Sequence, residues 1–187
     1  PNRLKQGRPI FGVDIRVVDD EGNVQPWDGE STGEVRIKGN WICSGYYRME
    51  TADSHDADGY FGTGDVACMD ADAYMRITDR TKDVIKSGGD WISSIELENA
   101  AVGHPDVAEA AVIGVPHPKW TERPLLIVVK APGASVEKEE ILAFLEGKVA
   151  KWWIPEDAVF VEDIPHTATG KISKKDLRVQ FEDYQGS

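Results

Sequence analysis

Three short stretches gather residue types suited to holding an anionic ligand. The first is Gly59-Tyr60-Phe61-Gly62-Thr63-Gly64-Asp65. Gly64 allows the backbone to come close to a ligand, and Asp65 then projects a carboxylate that can accept hydrogen bonds from both hydroxyls of a ribose. The same residues also fit an ordinary glycine-rich turn. The second stretch is Ile77-Thr78-Asp79-Arg80-Thr81-Lys82-Asp83-Val84-Ile85-Lys86-Ser87-Gly88-Gly89. Arg80 offers a planar fork of donors for ribose or phosphate oxygens, Lys82 and Lys86 add positive charge, and Gly88-Gly89 permit a tight turn with close ligand approach. Alone, such a mixed charge run also reads as a solvated loop.

The third stretch runs from Pro165 to Arg178 and contains Thr167-Ala168-Thr169-Gly170-Lys171. Gly170-Lys171 looks like the end of a nucleoside-triphosphatase phosphate loop. That pattern needs a glycine where Pro165 stands and a Ser or Thr where Ile172 stands, so this reading is rejected. What remains is a lysine at the tip of a Thr/Gly turn before a basic helix. A cation there can bridge a carboxylate and a phosphate while negative charge builds up. An exposed loop lysine is the plainer alternative.

The 187-residue chain carries a formal net charge of -12, with 9 basic and 15 acidic residues before residue 81 and 12 and 18 from there on. Acidity spread so evenly argues against a nucleic-acid partner, which calls for a basic face. Positive charge for an anionic ligand must therefore be supplied locally. Hydrophobic residues make up 41% and charged residues 29%, a soluble, globular composition. No apolar run approaches the ~20 residues of a membrane span. Cys43 and Cys68 form no Cys-x-x-Cys pair, which supports neither a disulfide framework nor a zinc site and suits two small, partly buried thiols in a reducing cytoplasm. The four histidines share no metal-ligand spacing; His104, His117 and His166 adjoin prolines and read as turn residues. The chain opens at Pro1 with no leader pattern, as an excised piece would.

The elements around these stretches fall into two styles. Over residues 8–80, Val13, Ile15 and Val17 alternate with polar residues, as do Val35 and Ile37, and turn-forming residues follow at Asp19–Asn23 and Asp70–Asp72. With short strands at 64–69 and 74–78, this predicts a small β-rich sheet or distorted barrel. After residue 80, Ser93 and Glu96 form a capping-box signature for a helix to Val102, stopped by Gly103-His104-Pro105. Apolar strands are expected at 110–115 and 125–130. A helix capped by Ser135 would carry Ile141, Leu142, Leu145 and Val149 on one face. A strand at 158–161 and a last helix opened by Ser173 and Asp176 complete the pattern, with Leu177, Phe181 and Tyr184 on one side. The whole reads as α+β, with a β-rich subdomain at 1–80 followed by a small α/β domain at 81–187.

Taken together and in this order, the three stretches resemble the adenylate-forming (AMP-binding) superfamily of acyl-CoA synthetases, peptide-synthetase adenylation domains and luciferases. The resemblance rests on Thr63-Gly64-Asp65, on Asp79-Arg80-x-Lys82 to Gly89 leading into Ile95-Glu96-Leu97-Glu98, and on Gly170-Lys171, and it covers essentially the whole chain. Gly88-Gly89-Asp90-Trp91-Ile92-Ser93-Ser94, Lys151-Trp152-Trp153-Ile154-Pro155 and Pro165–Lys171 look most like the medium- and long-chain fatty acyl-CoA ligase branch.

By that resemblance, residues 1–80 are the last β subdomain of a large N-terminal domain that lies upstream of Pro1, and 81–187 are a mobile lid. Asp65 would hold the ribose hydroxyls, Arg80 would assist at ribose or phosphates, and Ile77 would pack near the nucleotide. Lys171 would be the catalytic lysine of adenylation and Lys82 the hinge. Gly88 and Gly89 would meet the pantetheine of CoA after the lid turns. The implied ligands are a small carboxylic acid, ATP, CoA and Mg2+, the metal held by residues outside this chain, in an enzyme whose C-terminal piece is inactive alone. A peptide-synthetase adenylation domain, expected to continue past Gln185-Gly186-Ser187, and a non-catalytic module with the lid fold are the alternatives. Two positions depart from the family pattern. Gly62 stands where a basic residue is usual, which removes one phosphate-side charge. Trp91 stands where several relatives carry Arg.

Overall fold

A computed structural model describes residues 5–46 and 54–184 of the chain; Pro1 and Gln185–Ser187, on which the expectations about the chain ends rest, lie outside them. The chain divides into two compact units, Pro1–Lys82 and Asp83–Ser187.

The first unit is an antiparallel meander of β1 (Val13–Val18), β2 (Gly33–Gly39), β3 (Phe61–Met69) and β4 (Met75–Arg80), in that spatial order. Its turns follow from aspartate side chains that cap their own loops. Asp19 Oδ1 accepts from the backbone N–H of Glu21 and Asn23, and Asp70 Oδ1 from those of Asp72 and Tyr74. Val17, Val35, Phe61, Val66 and Met69 are buried. The β-rich expectation holds in class, and one detail of it is corrected: among the described residues β1 and β4 do not pair, so the sheet is open and no barrel closes.

In the second unit the runs Ala110–Val115 and Leu125–Val129 are apolar at nearly every position because both faces of their sheet are covered. They form β7 (Val107–His117) and β8 (Thr121–Lys130), a long antiparallel hairpin. On one face Ala110, Val112, Leu126 and Val128 pack against Leu97 and Ala101 of α1 (Ser94–Val102) and Ile141 of α2 (Lys138–Phe144). On the other face Ala111, Ile113, Leu125 and Ile127 meet Ile164 and Leu177, the latter on α3 (Lys174–Gln180). Fully burying one such side chain contributes about 1.5–3 kcal/mol. Strand β9 (Asp157–Phe160) runs parallel to β8, and the short hairpin of β5 (Ile85–Ser87) and β6 (Asp90–Ile92) joins β8 at Ser87–Thr121.

Ser93 caps α1 as expected, its hydroxyl accepting from Glu96 N–H at 3.2 Å. Ser135 does not cap α2. The helix begins at Lys138 after Glu137, with no side-chain cap, because the chain first turns Val136 into the core. Cys68 is buried and Cys43 is exposed, not partly buried. Among the described residues no helix is long and apolar enough to cross a membrane.

Candidate functional site

The Thr63-Gly64-Asp65 stretch is a bulge. Glu34 pairs with Val66 and Arg36 with Gly62, so three residues of β3 stand opposite Val35 alone. Extra residues in a ladder bend the strand and re-aim side chains. The Thr63 hydroxyl ties the bulge down, donating to Val35 O at 3.1 Å and accepting from Asp65 N–H at 3.2 Å. Gly64 sits at φ +74 with nothing within 4 Å of where a Cβ would be, a left-handed conformation open to solvent that glycine adopts without strain. Its carbonyl accepts from Thr81 N–H at 2.9 Å.

This geometry makes Asp65 the cross-strand partner of Arg80, and their side chains pair at 2.9 Å between Nη1 and Oδ1, with 56% of the Arg80 side chain and 25% of that of Asp65 exposed. An ion pair so exposed contributes only about 0–1 kcal/mol, so it orients two groups more than it stabilises the fold. Thr81 Oγ1, one residue on, is buried without a hydrogen-bond partner. Ile77 is half-buried opposite Ala67, its N–H donating to Gln6 Oε1 at 2.7 Å. The carboxylate and the guanidinium are thus brought together, with open backbone beside them; such a corner can grip a vicinal diol or an oxyanion.

The missing side chain at Gly62 has a neighbour that the linear sequence hides. A Cβ built there would lie 3.1 Å from Glu34 Oε1 and 3.6 Å from Arg36 Nη1. The Glu34–Arg36 ion pair, at 2.9 Å, occupies that space from the adjacent strand. A guanidinium therefore stands beside the bulge after all, although a carboxylate accompanies it.

In the second unit Gly88 and Gly89 form the two-residue turn between β5 and β6, at φ +61 and +94. Positive φ at both central residues marks the turn type that suits a twisted hairpin. Gly88 lies against Trp120, donating its N–H to Trp120 O at 2.9 Å. Arg123 locks the surroundings: Nη1 donates to Ser87 Oγ at 3.2 Å and Trp152 O at 2.8 Å, and Nη2 to Ile154 O at 3.0 Å. The departure at Trp91 also acquires a physical role, since the Lys86 ammonium lies 4.9 Å from its ring centroid, within cation–π range. Sequence reasoning did not find Trp120 or Arg123, whose partners named here are 29 or more residues away.

Lys171 stands on a small hairpin of its own. His166 bridges to Ile172, Thr167 N–H donates to Lys171 O at 2.7 Å, and Gly170 N–H closes the turn on Thr167 O at 2.9 Å. Gly170 takes the left-handed conformation, at φ +77. Ile164 and Ile172 moor the two arms in the apolar cluster under α3. Lys171 itself is exposed, and its ammonium has no partner among the described residues. Basic residues just beyond it are engaged instead. Lys174 pairs with Glu98 at 2.8 Å and Arg178 with Asp83 at 2.8 Å. Lys82, immediately before Asp83, is exposed. Among the described residues no cluster of three or more His, Cys, Asp or Glu side chains is placed to hold a metal.

Residues 96–171 match the AMP-binding enzyme C-terminal domain. The chain is 55% identical, over 97% of its length, to the 3-methylmercaptopropionyl-CoA ligase of Ruegeria pomeroyi, and 49% identical over 98% to the long-chain-fatty-acid–CoA ligase of Thermus thermophilus. It covers 33% and 34% of those two proteins, about a third of their length. Among solved structures, ATP-bound MatB from Rhodopseudomonas palustris superposes with a TM-score of 0.82 at 34% identity, over 96% of this chain and 36% of that one. The chain belongs to the adenylate-forming, AMP-binding superfamily. Within it, the chain corresponds to the C-terminal part of the CoA ligases.

Proposed function

We propose that the chain is the C-terminal part of an ATP-dependent acyl-CoA synthetase, which converts a carboxylate and ATP to acyl-AMP and pyrophosphate and then transfers the acyl group to CoA. In this reading residues 1–80 complete the large nucleotide-binding domain, and residues 81–187 are a lid that turns at Lys82. Asp65 accepts hydrogen bonds from the ribose hydroxyls, Arg80 orients that carboxylate and adds a donor towards ribose or phosphate, and Ile77 lines the nucleotide. Lys171 grips the substrate carboxylate and the α-phosphate while charge develops between them. Gly88 and Gly89 offer bare backbone to the pantetheine arm once the lid has turned. Mg2+ would be held by residues of the upstream domain; among the described residues no acidic cluster is placed to bind it.

The observation that carries this reading is the free ammonium of Lys171 on a rigidly moored hairpin, next to basic residues that are all but one committed to carboxylates. A single preorganised cation aimed at developing charge is worth on the order of 10²–10³ in rate. The acyl group we propose is aliphatic. Relatives at 48–55% identity are 3-methylmercaptopropionyl-, medium-chain and long-chain fatty acid–CoA ligases, whereas the cinnamate and ferulate ligases stand at 37–39%.

The test uses the full-length enzyme. Lys171→Ala should lower ATP–pyrophosphate exchange by roughly 10²–10³-fold and leave thioester formation from supplied acyl-adenylate and CoA nearly intact. Equal losses in the two half-reactions would contradict the assignment. A panel of acids in the same exchange assay identifies the substrate, and turnover of aromatic acids alone would overturn the aliphatic choice.

A further inference from the structure

The hairpin that carries Lys171 fixes its own shape through internal bonds, but those bonds do not set its direction. Its arms are joined by the His166–Ile172 bridge, the turn is closed by Thr167 and Gly170, and Lys171 N–H donates to Thr167 Oγ1 at 3.2 Å. Among the described residues, one side-chain bond ties residues 165–172 to another element. His166 Nε2 meets Glu109 Oε1 of β7 at 2.7 Å, the two side chains being 35% and 31% exposed.

Glu109 reaches the hairpin because β7 is bulged there. Val107 pairs with Lys130 and Glu109 with Val129, so Ala108 is an unpaired extra residue. Beyond the bulge, Ala111 and Ile113 face the cluster that holds Ile164 and Leu177. Glu109 has the same alternation as Ala111, so it continues that face towards the hairpin's base. A bulge that re-aims one carboxylate onto one imidazole at a loop base is the kind of local device used to orient a functional side chain. Because His166 is the cross-strand partner of Ile172, pinning it also pins the arm on which Lys171 stands. A side-chain contact this exposed contributes too little to decide folding, so its consequence is expected in geometry.

We infer that Glu109 and His166 are positioning residues that set the direction of Lys171 for adenylation and take no part in thioester formation. This inference rests on the role proposed for Lys171. Full-length Glu109→Ala, His166→Ala, His166→Gln, Lys171→Ala and the Glu109→Ala/Lys171→Ala double variant are to be compared in both half-reactions. Glu109→Ala and His166→Ala should each lower kcat of ATP–pyrophosphate exchange by up to about a hundredfold, the scale expected for a catalytic group misplaced by about 1 Å, with KM for ATP little changed. Thioester formation from supplied acyl-adenylate should be unaffected and serves as the folding control. His166→Gln, which returns an N–H donor at similar reach, should recover most of the rate. In the Lys171→Ala background, Glu109→Ala should have no further effect, as groups acting through one another are not additive. Equal loss in both half-reactions, an additive double variant, or a silent Glu109→Ala beside a defective Lys171→Ala would each overturn the inference. Unimpaired exchange in Lys171→Ala would instead sink the underlying role of the lysine.

Discussion

Gly88 is the position where the structure makes its sharpest energetic statement. An alanine there must adopt φ +61 and would place its Cβ 2.7 Å from Cε3 of Trp120. The left-handed backbone costs a non-glycine residue about 1 kcal/mol. The ring must also retreat from 2.7 Å to the 3.4 Å at which ordinary contact begins. It is held close because Trp120 O accepts the Gly88 N–H, so relief comes at the expense of that bond or of the ring's packing. Overpacking of this sort costs about 1–3 kcal/mol, for a total of about 2–4 kcal/mol. Gly89, at φ +94 with nothing within 4 Å, should lose only about 1 kcal/mol on the same change. Urea unfolding of Gly88→Ala, Gly89→Ala, Trp120→Ala and Gly88→Ala/Trp120→Ala separates the two contributions. Without the ring, Gly88→Ala should cost no more than Gly89→Ala does. If the two glycine variants are equally stable, or the cost at Gly88 survives loss of the ring, the steric argument is wrong. In the full-length enzyme Gly88→Ala should impair the CoA half-reaction and spare adenylation.

Two further outcomes can be stated. Lys174 and Glu98 are only 10% and 14% exposed, so Lys174→Ala removes the counter-charge of a nearly buried carboxylate, which also accepts from Val112 N–H at 2.8 Å, and should cost about 3 kcal/mol in urea unfolding, whereas Lys174→Met with Glu98→Gln should recover most of it; a single-variant loss below 1 kcal/mol would refute this. Asp28 accepts from Ser31 and Glu30 N–H and from the Ser31 hydroxyl, which lowers its pKa to about 2. A depressed carboxylate stabilises the fold above its ordinary value of 3.8 and loses that effect as pH falls towards 2. NMR titration of Asp28 should therefore show its midpoint well below those of exposed carboxylates, and a midpoint near 4 would disprove the turn's role.

Much of the second unit could be read from residue order because its signals are local. Ser93 and Glu96 mark a helix start wherever they occur, and runs such as Leu125–Val129 are continuous because both faces of their strand are covered. The glycines at 88–89 announced a turn. The strands around that turn went unnoticed, since three residues such as Ile85-Lys86-Ser87 are too few to show a period. Ser135 failed as a cap because the burial of Val136 decided where the chain went next. Barrel closure in the first unit could not be judged from strand patterns, which do not say whether β1 meets β4. The candidate site divides in the same way. Asp65, Arg80 and Lys171 stand out as single residues, but Arg36 beside Gly62, Trp120 on Gly88 and Glu109 at His166 exist only through pairings across strands.

Those pairings explain how an acidic chain can keep the cation at Lys171 available. Lys174 and Arg178 stabilise the second unit by neutralising Glu98 and Asp83, and in doing so they bind α3 to α1 and to the segment just after Lys82. Their charge is consumed locally, so they compete little with Lys171 for an approaching oxyanion. Lys171 is held through its backbone and through Ile164 and Ile172, which leaves its ammonium unneutralised. A side chain fixed by its own ion pair would have to break that pair before serving a ligand. Mooring the backbone and leaving the head group free avoids that penalty, and it makes the orientation of the hairpin, rather than the lysine's charge, the quantity that Glu109 and His166 control.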